Sequence, residues 1–111
     1  MMVIYEVNLI IDKDIFPQFE LWLKSHVAEM LLFDGFIQAY ILHPEQEEQA
    51  DCEQITVQYL LENGVALDNY FREFASNMRE KGLALFKDKF SASRRIFKVQ
   101  DLLLRHAASA N

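Results

Sequence analysis

Five polar side chains interrupt otherwise apolar patterns in this sequence and could carry chemistry. The most informative is His26, which lies at helical spacing between Trp22 and Met30, so its imidazole is expected on the apolar side of a helix. An imidazole in that position can act as an acid, a base or a ligand, because its ordinary pKa lies near neutrality. The alternative is a structural histidine that hydrogen-bonds a strand carbonyl or a tyrosine hydroxyl.

Tyr5 and Tyr59 occupy apolar positions of two predicted strands, and with Trp22 and His26 they form the candidate ligand-binding set. A buried tyrosine offers a flat apolar ring and a hydroxyl that can orient a ligand, although simple core packing is the alternative for both. The other two polar groups have plainer interpretations. His43 precedes Pro44 and is expected in a turn, and Arg95 is expected to form an interface or surface ion pair.

Motifs for metal, phosphate or nucleophilic chemistry are missing from the sequence. It has no glycine-rich phosphate loop, no nucleophile elbow, no paired cysteines and no spaced cluster of histidines or carboxylates. His26 and Glu29 are three residues apart, but one such pair without further ligands does not make a metal site. We therefore expect neither a metal nor a cofactor.

Hydrophobic periodicity defines the elements that must position these residues. Alternation predicts strands over 3–11, 36–43, 54–61 and 91–103, and three- and four-residue spacing predicts helices over 15–31 and 67–86. The first helix is expected to be capped from Asp12 to Asp14, and the second by Asp68. The acidic stretch EQEEQADCE, residues 45–53, is expected to be a solvated hairpin tip.

The order strand, helix, strand, strand, helix, strand predicts an α+β, ferredoxin-like βαββαβ fold. Its four-stranded antiparallel sheet carries both helices on one face, with the first and third strands in the centre. A length of 111 residues suits one domain, assigned to residues 1–103, with a flexible tail over 104–111.

Composition narrows the functional classes. A net charge of −6 disfavours nucleic acid and anionic lipid as partners, and no run of residues is apolar and long enough to span a membrane. The N-terminus lacks the pattern of a secretory signal, and Cys52 is the only cysteine, which suits a reducing compartment. We expect a cytoplasmic protein.

The sheet face opposite the helices is too apolar for a monomer. With the more apolar side of each strand against the helices, the outer face carries large apolar residues mixed with polar ones, a patch that a second copy would cover. We predict a homodimer joined sheet to sheet, in which Glu6 pairs with Arg94 or Lys98; a monomer with an imperfect outer face is the alternative. The candidate interface residues are Glu6, Phe36, Tyr40, Arg94 and Ile96.

Four stretches of the sequence resemble a known family. VIYEVNL, WLKSHVAEML, TVQYL and NYFREFASNMREKGLALFKDKFSASRRIFKV resemble the bacterial proteins grouped as domain of unknown function 4286, from about Met2 to Leu103. That family resembles a branch of the dimeric α/β-barrel superfamily, which includes antibiotic-biosynthesis monooxygenases and muconolactone-isomerase-like proteins. The resemblance implies a sheet-to-sheet dimer and, for the enzymes, a ligand cavity between helices and sheet. It transfers no reaction, and several monooxygenases of this fold use no metal or cofactor.

Three functions are consistent with these residues. The first is a homodimer that binds an apolar or aromatic small molecule between helices and sheet. The second is a cofactor-independent monooxygenase or isomerase in which His26 is the base and Tyr5 or Tyr59 orients the substrate. The third is a structural or partner-binding dimer whose core is filled by its own aromatic side chains. A pocket of a few hundred Å³ favours the first two.

Overall fold

A computed structural model describes residues 1–45 and 51–106. Its elements are β1 (Val3–Asp12), a 3-10 turn (Lys13–Ile15), α1 (Phe16–Met30), β2 (Phe36–Leu42), β3 (Cys52–Leu61), α2 (Gly64–Glu73), α3 (Ala75–Phe86), a second 3-10 turn (Lys87–Lys89) and β4 (Phe90–Lys98). The predicted order of elements is confirmed, except that the second helix is divided in two.

The four strands form one antiparallel sheet in the order β2-β3-β1-β4. β1 pairs with β3 so that Tyr5 lies opposite Tyr59, and on its other side it pairs with β4 so that Tyr5 lies opposite Ile96. The predicted ferredoxin-like α+β fold, with the first and third strands in the centre, is therefore confirmed.

The core lies between one face of this sheet and the helices. Alternate residues of β1 and β3 are buried there against residues of the helices, as period-two and helical patterns require. The largest fully buried side chains are Tyr5, Ile11, Phe19, Met30, Ile55, Val57 and Leu61. In the described part of the chain, no helix is both long and apolar enough to cross a membrane.

The predicted helix caps are wrong. Ile15 precedes α1 without a capping side-chain hydrogen bond, and Pro17 lies in the first turn, where its missing N–H costs nothing. The cap of α2 is Asn63, whose Oδ1 accepts from the Ala66 N–H at 2.9 Å, whereas Asp68 lies inside the helix. Phe74, at φ −129° and ψ −23°, separates α2 from α3.

A β-bulge reverses the predicted side of Phe36. The pairing of β2 with β3 shifts between Phe36 and Gln38, so Phe36 lies opposite Leu61 on the core face, while Tyr40 lies opposite Gln58 on the outer face. Phe36 is only 9% exposed. A strict period of two had placed it beside Tyr40 on the outer face, so its assignment to the dimer interface is corrected.

The two faces of β4 are also reversed relative to prediction. Phe90 lies opposite Ile11 and packs on Phe19 with ring centroids 5.0 Å apart, which fixes the even-numbered residues on the helix side. Arg94 and Ile96 therefore face the helix layer, and Arg95 and Phe97 face outward, following their partners on β1. The rule that the more apolar side of a strand faces the helices favours Phe97 and Val99, so it is wrong for β4.

The largest difference between a predicted and an observed strand end is that of β4. β4 ends at Lys98, and residues 99–106 have no regular secondary structure, so the predicted strand end at Leu103 is wrong. Most of the acidic connection lies outside the described residues, and so does the end of the predicted tail. The division into a domain over 1–103 and a tail over 104–111 stays a prediction.

Candidate functional site

A cavity of about 290 Å³ lies between the helices and the sheet. Its walls come from α1, α2, α3 and three strands, and most of them are apolar. The lining residues are Tyr5, Val7, Leu9, Phe19, Trp22, Leu23, His26, Met30, Val57, Tyr59, Tyr70, Met78, Arg79, Gly82, Leu83, Phe90, Ser91, Ala92 and Arg94. All four predicted ligand-binding residues, Tyr5, Trp22, His26 and Tyr59, line this cavity.

The size of the cavity follows from small residues on two of its sides. Gly82 of α3 and the neighbouring Ser91 and Ala92 of β4 line it with little or no side chain. A Cβ on Gly82 would lie 2.9 Å from Cη2 of Trp22, closer than such atoms approach in proteins. The glycine thus lets α3 lie against the indole without filling the space beside it.

Trp22 and His26 form one wall of the cavity. Their rings stack with centroids 4.5 Å apart and an interplanar angle of 22°. The Nδ1 of His26 is buried and has no hydrogen-bond partner among the residues described. Burial lowers the pKa of His26, Glu29 opposes that shift and nearby Lys81 adds to it, so the neutral imidazole is favoured at neutral pH.

Three tyrosines form a second wall. The ring of Tyr5 stacks on that of Tyr59 at 5.8 Å and lies 6.1 Å from that of Tyr70. Burial, with a contribution from Tyr5, raises the pKa of Tyr70 to about 12, and burial also raises the pKa of Tyr59. The phenols of Tyr59 and Tyr70 therefore stay protonated and are available as hydrogen-bond donors.

Two arginines lie at the edge of the cavity, and neither was predicted there. Arg79 Nη2 donates to the Tyr5 hydroxyl at 3.4 Å, a long hydrogen bond, and Arg94 reaches the cavity from β4. The apolar pattern of the second helix predicts Arg79 on the solvent side, and Arg94 is predicted at the dimer interface. The core position of Phe90 was the one sequence signal that could have placed Arg94 correctly, because strand alternation then follows.

Apart from Arg94, the remaining candidates lie away from the cavity. His43 contacts Phe16 edge-on, with ring centroids 5.8 Å apart, and Arg95 is on the outer sheet face. Of the interface candidates, Glu6 and Tyr40 are on the outer face, whereas Phe36, Arg94 and Ile96 are on the helix side. Arg94 and Arg95 do point to opposite faces, as the sequence predicted.

Glu6 is the centre of a polar network on the outer face. Only 4% of Glu6 is exposed, and its carboxylate accepts from Asn8 at 2.9 Å, Gln58 at 2.9 Å and Arg95 at 2.8 Å. The partner of Glu6 is therefore Arg95 and not Arg94 or Lys98. Hydrogen bonds from Asn8 and Gln58 lower the pKa of Glu6, and the hydrogen bond and positive charge of Arg95 lower it further. Together they outweigh burial, which raises it.

Within 1–45 and 51–106, no three His, Cys, Asp or Glu side chains are grouped so that they could hold a metal ion. The polar side-chain groups that line the cavity are one imidazole, three phenols, two guanidinium groups and the Ser91 hydroxyl, in a largely apolar wall.

Comparison with known proteins identifies relatives of this fold. The profile of the family described as Domain of unknown function (DUF4286) matches residues 2–100, and no protein with curated annotation matches. One similar solved structure is a conserved protein from Methanosarcina mazei Go1, with 20% identity over 88% of this chain and 93% of that chain and a TM-score of 0.64. A second is SnoaB, a cofactor-independent oxygenase from Streptomyces nogalater, with 11% identity over 95% of this chain and 100% of that chain and a TM-score of 0.69. A third is a provisionally assigned antibiotic-biosynthesis monooxygenase from Deinococcus radiodurans, with 9% identity over 95% of this chain and 99% of that chain and a TM-score of 0.70. Identities this low show the shared fold alone.

Proposed function

The chain belongs to the family of domain of unknown function 4286, and on this premise we propose that it binds an apolar or aromatic small molecule in the cavity between helices and sheet. The observation that carries the proposal is the cavity itself, which at about 290 Å³ is close to the lower end of the usual range for ligand sites. A core filled by its own aromatic side chains, the third function considered, leaves no such space.

The composition of the wall supports an aromatic ligand. Trp22, Tyr5 and Tyr59 present flat rings, which favour stacked or edge-on contact with another ring. A few polar groups lie among the apolar side chains of the wall. The apolar side chains bury a ligand, and the polar groups orient it. Retention of such a ligand needs no catalytic step.

The native mass spectrum after incubation with a panel of small aromatic compounds tests this proposal. The wild-type protein is expected to retain one or more of them. Gly82→Ala is expected to lose them, because the added methyl group takes up space at the cavity wall and meets the Trp22 ring at 2.9 Å. Gly64→Ala is the matched control, since a Cβ there meets nothing within 4 Å. Equal retention by wild type and Gly82→Ala, or no retention of any compound by either, would overturn the proposal.

A cofactor-independent monooxygenase or isomerase is the second candidate, and one observation favours it. The Nδ1 of His26 is buried, has no partner in the described ranges and belongs to a residue of the cavity wall. A neutral imidazole so placed is a suitable proton acceptor for a bound substrate. SnoaB, of the same fold, is a cofactor-independent oxygenase.

Replacement of His26 by Gln and by Ala separates binding from catalysis. If the protein turns over any retained compound with dioxygen, both variants should lose that turnover while still retaining the compound. Turnover that survives both replacements would remove His26 from the reaction.

We further propose that the protein is a homodimer joined through the outer faces of its sheets. Large apolar side chains on that face are well exposed, among them Tyr40 at 58%, Ile10 at 44% and Phe97 at 39%. Leu60, Ile4 and Phe97 form a continuous row across three strands. The Glu6 network lies beside this row and is already neutralised, so covering it leaves no unpaired carboxylate.

The expected partners and the expected cellular location of the protein follow from its composition. The net charge of −6 disfavours nucleic acid as a partner, and the single Cys52 suits a cytoplasmic location. Both remain predictions.

A further inference from the structure

The charges around the cavity are opposite in sign to those of the protein as a whole. The sequence has seventeen acidic and eleven basic residues, yet the described residues that line the cavity include two arginines and no carboxylate. Two guanidinium groups beside an apolar cavity in an acidic protein produce a local positive potential, which favours an anion there.

Arg79 and Arg94, unlike Arg72 and Arg95, have no acidic partner among the residues that the structure describes. Arg72 pairs with Glu73 at 3.3 Å, and Arg95 pairs with Glu6 at 2.8 Å. By contrast, within residues 1–45 and 51–106 no carboxylate oxygen lies within 4.0 Å of Arg79 or Arg94. The sole hydrogen bond of either to a described side chain is the long one from Arg79 to Tyr5.

The positive charges of Arg79 and Arg94 also act on the same end of the cavity, at Tyr5 and Tyr70. Both exert an electrostatic effect on the phenol of Tyr70, and Arg79 contacts the hydroxyl of neighbouring Tyr5. Because the Tyr5 hydroxyl accepts from Arg79, its own proton remains free to be donated. One end of the cavity therefore has two cations and phenolic donors close together.

We infer that the ligand is a small aromatic acid whose anionic oxygen lies at Arg79 and Arg94 while its ring lies in the apolar cavity beside Trp22. The inference rests on the proposed ligand-binding function and adds the charge of the ligand. A planar carboxylate fits because guanidinium groups present paired N–H donors in a plane, and charge-assisted hydrogen bonds are stronger than neutral ones.

A pair of matched probes tests the charge requirement. Naphthoate and naphthylmethanol have the same ring system, and only the first carries a negative charge at neutral pH. Binding is followed by the fluorescence of Trp22, the single tryptophan. We expect the wild-type protein to bind naphthoate about tenfold or more tightly, the size expected for hydrogen bonds to a charged group. Added salt should weaken this preference.

Variants of the two arginines locate the source of the preference. Arg94→Gln and Arg79→Gln should each lower the affinity for naphthoate and leave that for naphthylmethanol unchanged, and Arg94→Lys should restore part of it. Arg72→Gln, which alters an exposed arginine outside the cavity, should change neither affinity. The binding of naphthylmethanol reports that each variant is folded.

The outcomes that would contradict the inferred charge differ from the one that would contradict the proposed function. Equal affinity for both probes, or a naphthoate preference that survives the double replacement of Arg79 and Arg94, would overturn the inferred charge and leave the cavity as a ligand site. Binding of neither probe to the wild-type protein would contradict the proposed function and the inference with it.

Discussion

The indole of Trp22 and the imidazole of His26 stack 4.5 Å apart, one helical turn from each other on α1. Residues four apart on a helix lie on one face, so the contact follows directly from their spacing. The stack leaves Nδ1 of His26 buried without a partner in the described structure. A titratable group is thus coupled to the only tryptophan at the wall of the cavity.

The first prediction concerns the protonation of His26. Burial lowers the pKa of His26 below the ordinary value of 6.5. Of the two charged groups that act on it, Lys81 also lowers the pKa and Glu29 raises it. A protonated imidazole quenches an adjacent indole, so Trp22 fluorescence should fall as the pH decreases, with a midpoint below 6.5. Histidine NMR signals give the same pKa directly. A midpoint at or above 6.5 would contradict the described burial.

The same shift predicts a pH dependence of stability. Between the lowered folded pKa and 6.5 the unfolded chain binds more protons at His26 than the folded one, so the free energy of unfolding falls as pH decreases through this window. His26→Gln should remove that part of the slope. Urea denaturation of both proteins between pH 7.5 and about 5 measures it; parallel slopes would be evidence against the assignment.

The second prediction concerns the closeness of α3 to Trp22. In Gly82→Ala, the higher helix propensity of alanine contributes up to about 1 kcal/mol of stability. Displacement of the Trp22 indole by the new Cβ offsets this gain, so we expect a small net change in the free energy of unfolding. The fluorescence of Trp22 should change. Gly64→Ala should be neutral or stabilising by up to about 1 kcal/mol and leave the fluorescence unaltered. Identical Trp22 spectra for Gly82→Ala and wild type would show that α3 and the Trp22 ring lie farther apart than the structure has them.

The third prediction concerns the network of Glu6. In Glu6→Gln, the new amide can no longer accept from Asn8, Gln58 and Arg95 together, so the protein should lose about 1–3 kcal/mol of stability. Urea denaturation measures the loss. Glu73→Gln, which breaks an exposed ion pair, should cost no more than about 1 kcal/mol.

Acid should reduce the difference between wild type and Glu6→Gln. The pKa of Glu6 lies below the ordinary 4.5, so its stabilisation is present above 4.5 and is lost as pH falls through the lowered folded value. A difference that is constant down to pH 2 would be inconsistent with an ionised Glu6.

The fourth prediction concerns the outer face. Tyr40→Asp puts a charge at an exposed apolar position, and in a two-fold interface the change occurs twice, so dimerisation should weaken by about 3 kcal/mol or more. Sedimentation velocity reports the oligomeric state. Leu21→Asp, which alters a 75% exposed side chain of α1, is the control and should leave it unchanged. A wild-type monomer, or a Tyr40→Asp dimer as stable as the wild type, would refute the sheet-to-sheet arrangement.

Periodicity was sufficient to predict the architecture and much of the candidate site. Tyr5, Trp22, His26 and Tyr59 were selected as polar or aromatic groups in apolar patterns, and all four line one cavity. The reason is that a residue on the apolar side of a strand or helix in a two-layer fold must face the layer between them.

Periodicity failed where the chain departs from a regular repeat. A bulge after Phe36 shifted one strand by a residue, and a one-residue shift moves each side chain to the other face. On β4 the two alternating sets were similarly apolar, and only the packing of Phe90 on Phe19 decides between them. Arg94 was misplaced for that reason, and Arg79 because an arginine on a helix is usually assigned to solvent.

The most direct test of the central claim is the NMR signal of the Trp22 indole N–H during titration with naphthoate. As the only tryptophan, it gives a single, unambiguous signal from the cavity wall. We predict a saturable shift in the wild-type protein that is lost in Gly82→Ala and weakened in Arg94→Gln. An indole signal that does not move at millimolar naphthoate, while other signals do, would place binding outside the cavity and contradict the account.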